Sequence, residues 1–174
     1  MAATVEKHYD GKASQYSSRA AALAVRNSGA LIQYKRHANG VKRRMIEQYA
    51  GGAALLVDLG CGRGGDIGKW RDARVQRVVA LDLSAKQLDE AKRRACDGSA
   101  AARAATAIEW HHGSMLDPSL LARLDLRGAA DAVTTQFAQQ YAFSSEACAS
   151  RTLGAASSLL RPGGVMFGLS LIHI

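Results

Sequence analysis

Gly60, Gly62 and Gly65 stand at GxGxxG spacing inside "VDLGCGRGGDIGKW" (57–70), with Asp58 just before them and Asp66 just after. Asp82 lies 17 residues beyond Gly65. Glycines at this density let a backbone approach a ligand closely. An acid at about that separation is placed to accept hydrogen bonds from ribose hydroxyls. By pattern alone a dinucleotide would serve, but charge argues against it. A pyrophosphate would rest on the N-terminus of the helix after the loop, where Asp66 stands. Each carboxylate facing it would cost roughly 1–4 kcal/mol at ~4 Å, for an effective dielectric of about 80 down to about 20. A P-loop fails too. Gly68-Lys69 has Arg63 where the first glycine belongs and Trp70 where Ser or Thr must hold magnesium.

The ligand that suits this loop has a ribose, a flat base, a positive centre and no phosphate. S-adenosylmethionine has all of these. Asp82 would accept from its ribose hydroxyls, and an acidic edge would favour its cationic methionine end. Asp66 can also be read as an ordinary helix cap.

The elements around the loop must place it. "ALLVDLG" reads as a buried strand running into the glycines, and "GDIGKWRDA" as the start of a helix. "VQRVVALDL" is a second strand and "SAKQLDEAKRRACDG" a second helix, with Ser84 and Gln87 as a capping box, Glu90 four before Arg94, and Gly98 as its stop. "TAIEWHHGS" and "AADAVTTQFA" are strands, "SSEACASRTLGAASSLL" is a helix closed by "RPGG", and "VMFGL" is a fifth strand. The alanine-rich GSAAARAATA (98–107) reads as a connector. Upstream, Tyr34, Ala38, Val41, Met45 and Tyr49 have helical spacing, with Gly40 tolerated inside. Strand–helix alternation predicts an α/β, Rossmann-like fold: a mostly parallel sheet with helices on both faces. In such sheets ligands bind beyond the carboxyl ends of the strands. The glycine loop, Asp82, Gly113-Ser114 and the segment from Gln136 to Tyr141 all fall at such ends.

The 174 residues carry a formal net charge of +8, with basic clusters at 35–44 and 92–94. That favours an anionic partner, nucleic acid first; a solvated arginine-rich surface is the plain alternative. No apolar run reaches the ~20 residues of a membrane span. The N-terminus lacks a signal-peptide block. Cys61, Cys96 and Cys148 are odd in number and far apart, so they read as free thiols. A nuclear or cytoplasmic location is expected. No metal site is expected: His111 and His112 are consecutive on a strand and face opposite ways. Trp70, Trp110 and Met115 read as core.

DLGCGRGGDIGKW followed by LDLSAKQLDEAKRR resembles the class I methyltransferases. "HYD" near the start, "RHANGVKRRMI", "QFAQQYAFSSE" and "LLRPGGVMFG" sharpen this into a resemblance to the eukaryotic mRNA cap (guanine-N7) methyltransferases, over about residues 7 to 168. The resemblance implies S-adenosylmethionine as cofactor and capped RNA (GpppRNA) as substrate, with no membrane involved and a nuclear location. It implies that Lys42 reaches the cofactor's carboxylate, that Gly60 packs on the methionine moiety, and that Asp58, Gly62 and Ser114 join the cofactor site. Asp82 is implied as the ribose acid, and Gln136 and Tyr141 as lining the cofactor and the methyl-transfer site. Asn39 and Gln140 are implied on the cap and Arg63, Lys69 and Arg94 along its phosphates. It divides the chain into a helical segment (1–50) that contributes to both sites and a partial methyltransferase core (51–168).

This chain departs from the family pattern at Gly113, where the family has an aspartate aimed at adenine, at Gln140, where it has histidine, and at Ala38, which replaces an asparagine. Residues 169–174, LSLIHI, are the translation of CTGTCTCTTATACACATC, a transposon end used in sequencing libraries, and are expected to be a non-native tail; the family continues further. Strand 5 would then be an unprotected sheet edge. Two other readings stay open: a methyltransferase on another RNA or a small molecule, and a non-catalytic RNA-binding fragment.

Overall fold

The computed structural model describes residues 6–8, 10–11, 31–97 and 99–170. Tyr9 of the HYD motif, the helix-stopping Gly98 and tail residues 171–174 lie outside them. Helix α1 (Ile32–Ala50) leads into β1 (Leu55–Leu59), α2 (Ile67–Asp72), β2 (Arg77–Asp82) and α3 (Ala85–Ala95). Then come α4 (Ala100–Ala104), β3 (Ala107–His112), α5 (Pro118–Arg123), β4 (Ala130–Gln136), α6 (Gln139–Ala142), α7 (Glu146–Leu159) and β5 (Leu160–Leu169). The five strands pair in the order β3-β2-β1-β4-β5, every pair parallel. The expected α/β fold is present.

Period-2 alternation in the strands sorts the core into two layers. Leu56, Val78, Ala80 and Ala132 point to one face and pack with Ile46 of α1, Trp70 of α2 and Leu88 of α3. Val57, Leu59, Val79, Leu81 and Val133 point to the other and pack with Leu120 and Leu121 of α5 and Ala156 and Leu159 of α7. Trp70 is fully buried, as read from sequence.

Four elements differ from the sequence reading, among them α6, a single helical turn after β4 that was not anticipated. The alanine connector contains a helical turn and a half, α4. Helix α5 was not anticipated, although Asp117 caps it by accepting from Ser119 N and Pro118 opens it. Strand β5 begins at Leu160 and absorbs RPGG through a register shift opposite Ala130/Ala132, so RPGG is an irregular strand start. Leu169 closes the ladder opposite Gln136. Strand β5 is one of the two sheet edges among the described residues, with β3 the other.

The order reverses at β1: the chain runs outward through β2 and β3, then returns to place β4 on the other side. The crevice where β1 and β4 diverge is where this topology binds ligands.

Candidate functional site

The glycine loop is stitched to the end of β2. Gly60 N and Cys61 N both donate to Leu81 O at 2.9 Å. The Asp82 carboxylate accepts from Gly62 N at 2.7 Å and from Ser84 N at 2.9 Å. Gly60 has φ +102, and a Cβ there would come 2.5 Å from Ala138 Cβ. The third structurally required glycine is Gly64, not Gly65. Gly64 has φ +69 and a Cβ on it would meet Ile67 Cδ1 at 2.5 Å, whereas a Cβ on Gly65 meets nothing within 4 Å. The loop is therefore a close-packed GxGxG.

A cavity of about 520 Å³ opens above these strand ends. Gly60, Gly62 and Asp82 line one side, Ser114 lies beyond β3, and Gln136 and Tyr141 line the β4 side. Lys42 reaches the cavity from α1. Gln136 Nε2 donates to Thr134 Oγ1 at 2.8 Å, but its buried Oε1 has no hydrogen-bond partner among the described residues. Ser114 Oγ accepts from Leu116 N at 3.1 Å. Phe137, which also lines the cavity, has φ +62, an uncommon value for a non-glycine residue. Its ring centroid is 5.3 Å from Lys42 Nζ, a cation–π contact. Sequence reasoning placed Phe137 only within the segment from Gln136 to Tyr141 and gave it no role. It missed Cys61 and Cys148 as lining residues, and read Gln87 only as a cap and Met115 only as core, although all four border the cavity.

The acidic fence expected from Asp58 and Asp66 takes a different form. Asp66 is buried between two ammoniums, with Lys42 Nζ at 2.8 Å and Lys69 Nζ at 2.6 Å. Burial raises its pKa, but the attraction of Lys42 and then Lys69 outweighs that and holds the carboxyl below its usual range. It makes no side-chain cap bond to α2. Asp58 lies in β1 and is 1% exposed, with Oδ1 unpartnered among the described residues. Burial, reinforced by Asp66, pushes its pKa well above the normal carboxylate range. Asp58 therefore sits within the core of the sheet and does not line the cavity. Asp66 and Asp82 both border it, Asp66 with its charge taken up by the two lysines, and burial raises the pKa of Asp82 against the pull of its two backbone donors.

A model of the mRNA (guanine-N(7))-methyltransferase domain matches residues 1–170. The chain belongs to that family. Its sequence is 30% identical to mRNA cap guanine-N(7) methyltransferase 1 of Arabidopsis thaliana over 182 residues, covering 97% of this chain and 45% of the relative. It is 34% identical over 144 residues to the mRNA cap guanine-N(7) methyltransferase of Schizosaccharomyces pombe, covering 79% and 39%. The chain thus spans less than half the length of these curated relatives. Among solved structures, the DhpI–SAH complex overlays with a TM-score of 0.58 at 19% identity, covering 94% of this chain and 66% of that one. Geranyl diphosphate C-methyltransferase from Streptomyces coelicolor overlays with 0.58 at 24% identity, covering 75% and 44%. These two similarities establish the fold.

The positions that family resemblance puts on the cap are less gathered than those it puts on the cofactor. Asn39 Nδ2 donates to Lys35 O one turn back, at 2.9 Å. Arg63 is half-buried within the glycine loop. Arg94 is on α3 and pairs with Glu90 at 2.7 Å, the i,i+4 pair anticipated from sequence. Lys69 is buried, and its ammonium is engaged by Asp66 and by Gly65 O at 3.0 Å. Gln140 donates from Nε2 to Phe137 O at 2.8 Å, and its buried Oε1 has no partner among the described residues. None of these five lines the cavity. Gly113, the departure from the family aspartate, has φ +151, and a Cβ there would meet Leu120 Cδ2 at 2.5 Å. This backbone is shaped for glycine, so the departure is built into the β3–α5 turn.

Proposed function

We propose that the chain is the cofactor-binding part of an mRNA cap guanine-N7 methyltransferase, moving a methyl group from S-adenosylmethionine to N7 of the guanine in GpppRNA. The observation that carries this reading is convergence. In a chain matched by the family model over residues 1–170, the residues expected at the cofactor, Asp58 apart, line one cavity at the strand-order reversal. The cavity suits the cofactor on its own terms. A carboxylate has about four lone-pair sites, and two backbone donors occupy Asp82, one on each oxygen. Capacity remains there for a ribose diol. The unmet Gln136 Oε1 supplies a further acceptor, and the bare Gly60 backbone a close approach.

S-adenosylmethionine supplies an activated methyl group on a sulfonium. Guanine N7 presents a lone pair and no proton, so no side chain is needed as a base. The contribution of this chain is alignment: Asp82 and Lys42 hold the two ends of the cofactor, and Tyr141 bounds the space between cofactor and guanine. Effects of this kind, orientation and a prearranged field, account for large parts of enzymatic rate. Basic residues outside the cavity would position RNA by its phosphates. A nuclear location belongs to the same proposal.

Calorimetric titration with sinefungin or S-adenosylhomocysteine tests the cofactor, and NADH is the control. Methyl transfer compared between GpppRNA and uncapped RNA, in this chain and in its full open reading frame, tests the substrate. Transfer without preference for the cap would favour a methyltransferase of another RNA or a small molecule. Binding of NADH but not sinefungin would overturn the proposal.

A further inference from the structure

Asp66 stands where the glycine loop becomes α2, yet its side chain does not cap that helix. Both carboxylate oxygens face Lys42 Nζ, Oδ1 at 2.8 Å and Oδ2 at 2.9 Å, and Oδ1 also meets Lys69 Nζ at 2.6 Å. All three side chains are at most 10% exposed. Lys69 is also tied to Gly65 O, so it belongs to the loop. Lys42 comes from the other direction, 24 residues earlier on α1, and its ammonium sits at the cavity wall beside Phe137. A lysine head rides on a flexible four-carbon stem, and its own helix does not fix where the charge lies. Asp66 does. One carboxylate between two ammoniums leaves one positive charge in surplus, so the cluster attracts an anion where Lys42 meets the cavity. Lysine has three N–H donors, and Asp66 does not exhaust them.

We propose that Asp66, which borders the cavity beside Lys42, is a positioning residue: it holds the Lys42 ammonium in place on the cavity wall for the carboxylate of an amino-acid-bearing ligand, while Lys69 acts through Asp66 as its counter-charge. This rests on the reading that the cavity takes S-adenosylmethionine, and it gives Lys69 a role other than touching RNA phosphate.

Two probes separate positioning from mere support of the loop. Sinefungin carries the amino-acid carboxylate; 5′-methylthioadenosine shares the nucleoside and lacks it. Calorimetry would compare both on the wild type, Asp66→Asn, Lys69→Met and the double variant. Asp66→Asn weakens sinefungin about 10- to 100-fold and leaves methylthioadenosine within about twofold, the range of one charge-assisted hydrogen bond. Lys69→Met removes the surplus charge, weakening sinefungin several-fold and methylthioadenosine not at all, and it keeps the test alive if Asp66→Asn does not fold. In the Asp66→Asn background Lys69→Met has no further cost, because two facing ammoniums become one; such non-additivity marks residues acting as a unit. Equal losses for both ligands, or the same Lys69→Met effect in both backgrounds, would overturn the inference. A wild type that binds neither ligand would overturn the cofactor reading beneath it as well.

Discussion

The two walls of the cavity are built on different principles. On the β2 side the polar groups hold one another in place: Asp82 takes Gly62 N and Ser84 N, Ser84 caps α3 by accepting from Gln87 N, and Leu81 O takes two loop amides. On the β4 side Gln136 leaves a buried Oε1 unmet among the described residues, and Phe137 beside it holds a positive φ. Unpaired buried acceptors cost about 1–3 kcal/mol each, and such a backbone costs of order 1–3 kcal/mol more. The first wall is held in shape before ligand arrives, with spare acceptor capacity on Asp82. The second carries strain and an unmet acceptor that a ligand can relieve. The largest expected effect breaks the finished wall. Asp82→Ala removes the acceptor of Gly62 N and the acid at the cavity, and calorimetry should show sinefungin affinity falling more than about 100-fold, the loss of two charge-assisted bonds. Unchanged affinity would move the ribose elsewhere.

The unfinished wall should respond differently. Gln136→Met removes the unmet acceptor with little change of volume, while releasing Thr134 Oγ1. Melting temperature in the absence of ligand should stay level or rise, and sinefungin affinity should fall about 10-fold, near 1.4 kcal/mol. A variant that loses both together would mean that Gln136 supports the fold and not the ligand.

This contrast also marks how far the sequence could be read. The β2 side is local: a strand, the glycines, and a second strand ending in Asp82 follow one another, and short continuous apolar runs report strands buried on both faces. The clamp on Asp66 is not local. Lys42 is 24 residues away, and nothing in the spacing says that α1 crosses the loop there. Gly64 and Gly65 fit a glycine pattern equally, and only Ile67 and Ala91 packed against Gly64 separate them. The missed α5 was different in kind, because Asp117-Pro118 was a start signal in plain view. Gln140 could be recognised as a departure from the family, but the direction of its amide depends on the carbonyl of Phe137, which only the turn after β4 sets.

Beneath both walls lies Asp58, and its acid chemistry yields a smaller, pH-dependent effect. Its folded-state pKa is raised, first by burial. A protonated Asp58 therefore supports the fold fully below the unfolded value of about 4. That support is lost as pH rises through the raised folded value. Asp58→Asn mimics the protonated form and should melt higher at neutral pH, by at least the 2–4 °C that about 1 kcal/mol produces in a domain of this size. The gain should shrink to nothing as pH falls toward about 4. A difference that stays constant across pH would show that charge is not its origin.

The smallest effect should come from outside the cavity. Arg94 shares Glu90 with Arg93, whose Nε and Nη2 donate to the same carboxylate at 2.8 and 2.9 Å. Arg94→Ala therefore leaves no orphaned charge, and an i,i+4 pair of this kind contributes about 0.3–0.5 kcal/mol. Melting should shift by less than about 2 °C, and sinefungin affinity should hold within twofold. If Arg94 follows the RNA, binding of capped RNA should weaken more than binding of cofactor, and the slope of log affinity against log salt should fall by about one. An equal loss of both ligands would instead tie Arg94 to the finished wall through α3, since Gln87 on the same helix borders the cavity. In that case the contrast between a cofactor side fixed in advance and an RNA side of separate phosphate contacts would have to be redrawn, with α3 serving both.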